Sequence, residues 1–179
     1  MATILAGPDA KKFVVHRALL CSKSQYFTKA LTGSFEESQT GIVRFEDISP
    51  VLFQIFVTWL YNGKIVYTIS DGTSTIKQDF KNFLECIIPG HDSDKLQMNA
   101  NDTSTWPCEV LMGLYVLADR LDTKELRIQV MDALTESLLR KKSQGLPPSV
   151  FAISMPTRQP NHRSENLLWT HWRITQDTT

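Results

Sequence analysis

The sequence has few cysteines, no excess of either charge sign and no long apolar run. Cys21, Cys86 and Cys108 are three in number and widely spaced, so a disulfide framework is not expected and reduced thiols inside a cell are the simpler reading. Nineteen basic residues balance nineteen acidic ones, which removes the global field that would draw in nucleic acid or an anionic membrane. No stretch reaches the ~18 apolar residues of a membrane span. In the opening MATILAGPDAKK the lysines follow the apolar residues, the reverse of a secretory signal. An intracellular place, cytoplasmic or nuclear, is therefore expected. The triplet Asn101-Asp102-Thr103 then reads as a chance match to a glycosylation site.

Enzyme signatures are missing as well. The eight glycines are scattered at turns, and none belongs to a phosphate loop, a G-x-G-x-x-G fingerprint or a G-x-S-x-G elbow. His16 and Cys21 stand five apart with no second pair at ligand spacing, so no zinc pattern forms. His91-Asp92-Ser93-Asp94 starts like a calcium loop but lacks the sixth-position glycine and the distal glutamate. It reads as a solvated polar loop. No metal, cofactor or catalytic residue is expected. A hydrolase using Cys21 with His16 is weighed against a core cysteine and a buried, hydrogen-bonded histidine, and the core reading is preferred.

What is present is a chain that is 42% hydrophobic and 21% charged, enough for a sizeable core. Thr3 to Ala6 and Phe13 to Val15, separated by Gly7-Pro8-Asp9, suggest a hairpin. Helical turns follow from His16 to Cys21, and a second helix starts near the capping residue Ser24 and stops at Gly33. Ile42 to Phe45 reads as a strand. Ser49-Pro50 opens the clearest helix, with Val51, Ile55, Phe56 and Trp59 on one face and Asn62-Gly63 at its end. Ile65 to Tyr67 suggests a short strand. Residues 70–106 are rich in Asp, Ser, Thr, Asn and Gln and read as a long polar surface insertion, with one weak helix around Gln78 to Ile88 and Trp106 anchoring its end. Helical periodicity returns at Val110, Leu111, Leu114 and Leu117. Asp122 with Glu125 has capping-box spacing for a last helix carrying Leu126, Val130 and Leu134. The tail from Lys141 holds Trp169 and Trp172 among five basic and two acidic residues. A nucleic-acid patch is weighed there, and packing of the rings against protein is preferred. A DNA-binding regulator is weaker still, with neither a zinc finger nor a basic helix present.

The order of these motifs is specific. Phe13, Val15, His16 and Arg17, then Ser24 and Phe27, then Phe35 and Glu37, then a strand leading to Asp47, then Leu60, Tyr61 and Gly63 together resemble the BTB/POZ domain. Leu114 to Leu134 resembles that family's last core helix pair. The match covers about residues 3–140 apart from the insertion, and its wording is similar to BTB proteins of filamentous fungi. The resemblance implies an α+β class, the BTB/POZ fold, with a small mixed sheet flanked by a cluster of helical hairpins. With the composition, this gives a domain over residues 1–140 with an insertion at about 70–106, followed by a partly ordered tail at 141–179. The resemblance also implies a protein-interaction module rather than an enzyme, with other proteins as partners. These include a cullin of a ubiquitin ligase or further copies in a homo- or hetero-oligomer. Adaptors of this family contact the cullin through an apolar residue, any residue, then glutamate, which Phe35, Glu36 and Glu37 match. The sequence opens at the first core strand, so the exchanged N-terminal helix and strand of family homodimers are not expected, and no substrate-recruiting module is recognised after the domain.

Overall fold

A computed structural model describes residues 1–68, 76–87 and 99–143. Its sheet has three strands in the order β2-β1-β3: β1 is Ala2–Ala6, β2 Lys11–Val15 and β3 Ile42–Phe45. The central strand runs antiparallel to β2, with Ala2 opposite Val15 and Ala6 opposite Lys11, and parallel to β3, with Thr3 opposite Ile42 and Ala6 opposite Phe45. Alternation of side chains along each strand sends Ile4, Phe13, Val15, Val43 and Phe45 to one buried face. A parallel partner needs a crossover connection, and helices α1 (Arg17–Lys23), α2 (Gln25–Thr32) and α3 (Glu36–Thr40) supply it.

The helix starts follow the side-chain chemistry. Ser24 accepts from the Phe27 amide at 3.2 Å, while its own hydroxyl donates to the Leu121 carbonyl at 2.5 Å. One cap thus begins α2 and fastens it to a residue 97 positions away. Helix α4 (Pro50–Asn62) has proline in its first turn and the Ser49 hydroxyl accepting from the Val51 amide at 3.3 Å. It ends at Gly63, whose φ of +69° is the left-handed conformation that suits a residue without Cβ. Phe53 and Ile55 are buried along with Phe56 and Trp59, so α4 is covered on several sides. Its rings meet those of Phe13, Phe27 and Phe45 at centroid distances of 5.0–6.3 Å. Helices α6 (Cys108–Arg120) and α7 (Lys124–Ser143) form the last hairpin. The Trp59 indole donates to Gln129 Oε1 at 3.2 Å, and Gln129 Nε2 donates to the Gly63 carbonyl at 3.1 Å. The central helix is thereby held to α7. The α+β class and the small mixed sheet beside helical hairpins are as expected.

Three expectations are corrected. Ile65 to Tyr67 forms no strand: Ile65 and Tyr67 are buried, but the segment's backbone pairing is a bond from the Tyr67 amide to the Ala100 carbonyl at 2.9 Å. Within the polar insertion, helix α5 (Ile76–Ile87) does not lie wholly at the surface: Lys81, Asn82 and Glu85 are exposed, but Phe80 and Leu84 are wholly buried and Phe83 nearly so. A Cβ on Gly113 of α6 would lie 2.9 Å from Leu52 and 3.2 Å from Phe83, so that glycine permits α4, α5 and α6 to meet closely. Asp122 is not the cap of the last helix. Its φ is +49°, and the Thr123 amide donates back to Ala118 while the Asp122 amide donates to Asp119. That double bond pattern is a Schellman stop to α6, so α7 starts one residue later, after Thr123. The tail beyond 143, with Trp169 and Trp172, lies outside the described residues.

Candidate interaction site

The segment Phe35-Glu36-Glu37 stands where α2 gives way to β3. Gly33 closes α2, its amide bonded to the Lys29 carbonyl at 3.0 Å. A Cβ there would be 2.5 Å from that carbonyl oxygen and 3.1 Å from the Phe35 ring, so only glycine lets the chain turn so tightly with the ring beside it. Phe35 then adopts extended backbone as the residue before α3, and its carbonyl accepts from both the amide (3.0 Å) and the hydroxyl (2.7 Å) of Ser38. Glu36 and Glu37 occupy the first turn of α3, where their charge opposes the positive end of the peptide dipoles. Gly41 ends the turn with φ +68°, its amide bonded to the Glu37 carbonyl at 2.9 Å, and its carbonyl accepts from the Thr3 amide at 2.8 Å. The corner is thereby anchored in the sheet.

Within this corner Phe35 is 58% exposed. Glu36 is exposed and Glu37 half-buried. An aromatic ring in water next to two carboxylates is an arrangement that can fill a partner's pocket and fix its orientation. No helix was expected at 36–40; the acidic pair followed by Ser38, a signature of a first helical turn, is the signal that could have found it.

His16 and Cys21 do not come together. His16 is exposed rather than buried, and its Nδ1 lies 2.7 Å from the Tyr61 hydroxyl, with the rings edge to face at 5.8 Å. The polar ring stays at the surface because Tyr61, at the last turn of α4, is itself half in water. Cys21 is half-buried against the core, its thiol donating to the Phe27 carbonyl at 3.7 Å. Among the described residues no group of three His, Cys, Asp or Glu side chains could hold a metal, the buried Cys108 thiol lies 3.8 Å from the Ser137 hydroxyl, and no helix is long and apolar enough to cross a membrane.

Comparison with known proteins adds two findings. Residues 2–87 match the family model of the BTB/POZ domain. The chain is similar to the Kelch repeat and BTB domain-containing protein 4 of Homo sapiens and of Mus musculus, each 24% identical over 79 residues, covering 39% of this chain and 15% of the relative. The chain thus spans only a small part of the length of these curated relatives.

Proposed function

The chain carries a BTB/POZ domain, a protein-interaction fold, and from that premise we propose that it acts as a substrate adaptor of a cullin-type ubiquitin ligase, with Phe35 as anchor and Glu37 as orienting carboxylate. The observation that supports this is the exposure of Phe35 on a corner fixed by bonds on both sides: Gly33 to Lys29 before it and Gly41 to Thr3 after it. A ring held out by a rigid turn loses little conformational freedom on docking. The work would take place in the cytoplasm or nucleus, where the Cys21 thiol stays reduced.

Co-purification with a cullin tests the reading. The wild type should retain it, and Phe35→Ala should weaken the contact by about 2 kcal/mol or more, the scale of an interface anchor. Glu37→Ala should weaken it less. Because Phe35 is mostly in water, the same change should leave thermal unfolding within about 0.5 kcal/mol of wild type. A wild-type chain that binds no cullin removes the adaptor role and leaves an interaction module. Mass rising with concentration in light scattering would then favour homo-oligomeric self-association.

A further inference from the structure

The sheet has a second face. The alternation that buries Ile4, Phe13 and Val43 turns Thr3, Leu5, Lys12, Val14, Ile42 and Arg44 the other way. Strand register sets them in two rows. Val14, Thr3 and Ile42 lie side by side in one, and Lys12, Leu5 and Arg44 in the next. A solvated sheet face is ordinarily polar. Here Val14 is 51% and Ile42 38% exposed, with Met1 at the strand's start 68% exposed. The second row places two cations roughly 10 Å apart, two strand spacings, on either side of half-buried Leu5. Neither cation's side chain has an ion pair or hydrogen bond among the described residues. Beyond that row, the β1–β2 turn and the end of β3 enclose a shallow hollow of about 390 Å³, bordered by Gly7, Ala10, Arg44 and Glu46.

We propose that this face is a second docking surface, whose occupant is an extended segment of another protein with the pattern apolar, any residue, acidic, any residue, apolar. A strand presents every second side chain to one face, about 7 Å apart. Laid along β1, its first apolar side chain covers Val14 and Ile42, its carboxylate reaches Lys12 or Arg44, and its second apolar side chain enters the hollow. The positive row selects an acidic partner by complementarity. A second copy is disfavoured where the twofold axis passes through this row, because the contact would then set Lys12 and Arg44 against the same cations. The apolar row and the carboxylate of Glu46 disfavour nucleic acid. The inference rests on the reading of this chain as an interaction module, but not on the Phe35 corner.

The test titrates the full chain, followed by amide and methyl NMR shifts, with a labelled synthetic peptide reading valine-threonine-glutamate-threonine-valine. A second peptide carries lysine in place of glutamate. Saturable binding is expected, with shifts at Leu5, Val14 and Ile42. The lysine peptide and the Arg44→Glu variant should each weaken binding about tenfold, and Arg44→Glu should recover affinity for the lysine peptide. Cullin co-purification by Arg44→Glu should equal wild type, which separates failure here from failure at Phe35. Absence of saturable binding, shifts confined to the Phe35 corner, indifference to the charge swap, or self-association with shifts on this face would each overturn the proposal.

Discussion

Two aromatic clusters hold this protein together, and they are fastened in different ways. Phe27, Phe45, Phe53, Phe56 and Trp59 pack between sheet and α4. They are mostly phenylalanines whose positions are set by helices and strands with their own caps, Ser24, Ser49 and Gly63 among them. Tyr67, Phe80 and Trp106 form the second cluster, with Phe80 edge-on to both neighbours at 5.3 and 5.1 Å. Here two of the three rings carry polar tips, one bound to a side chain of α5 and the other to a loop carbonyl. The Tyr67 hydroxyl donates to Asp79, and the Trp106 indole donates to the Asn99 carbonyl at 2.7 Å. The first cluster is a consequence of periodic elements. In the second, buried rings with polar tips tie irregular backbone to the core.

Truncating a ring in each cluster sharpens the contrast. Phe56→Ala should cost about 4 kcal/mol, as expected for a fully enclosed phenylalanine, and denaturant unfolding should move as one transition. Phe80→Ala should cost about 3 kcal/mol with a different signature. Amide exchange in α5 and at the Trp106 indole should speed up before the rest of the molecule does, because local opening there leaves the sheet cluster intact. A loss below about 1 kcal/mol for Phe80→Ala would mean that α5 is only loosely attached, and the two clusters would not be comparable.

The same contrast explains what could be read from the sequence. Ile42 to Phe45, the Ser49-Pro50 start and the Gly63 stop were legible because short-range chemistry decides them. The apolar phase of α6 likewise placed Val110, Leu111 and Leu114 in the core. α5 reads only as a weak helix in the sequence, and its burial is not legible there. Its few apolar residues sit in a polar composition, and only the distant partners Tyr67, Trp106 and Gly113 reveal that Phe80 and Phe83 point inward. The burial expected of His16 fails for a related reason: its exposure follows from Tyr61, 45 residues on. The position of Phe35 in the motif was readable, but its exposure depends on the Gly33 turn and required the structure.

A smaller effect probes how the first cluster is closed at its rim. Arg120, at the end of α6, pairs with Asp47 and lies over the Phe45 ring at 5.4 Å from its centroid. Both charged groups are partly in water, which limits the ion pair; the ring contact adds a cation–π contribution. Arg120→Ala should destabilise by about 1 kcal/mol, and Arg120→Lys should recover only part of it, since an ammonium cannot lie flat on the ring. A full recovery by lysine in chemical denaturation would assign the effect to charge alone.

The smallest effect belongs to the rim of the second cluster. Asp102 accepts from the Ser104 hydroxyl at 2.6 Å and from the Ser104 amide at 3.1 Å, at the start of the single turn Thr103–Thr105 that leads to Trp106. The hydroxyl bond comes first in holding its carboxyl below the ordinary value of 3.8; partial burial opposes it, and the amide bond and Arg140 assist. A carboxylate depressed in the folded state contributes stability above its unfolded value and loses it as pH falls through the folded value. The wild type should therefore gain stability over Asp102→Asn at neutral pH, and the two should converge below the ordinary carboxylate range. Thermal unfolding of both proteins between neutrality and strong acid measures this. A gap that stays constant across that range would show that the turn is held by geometry rather than charge, and the second cluster would then owe its fastening to Trp106 and Tyr67 alone.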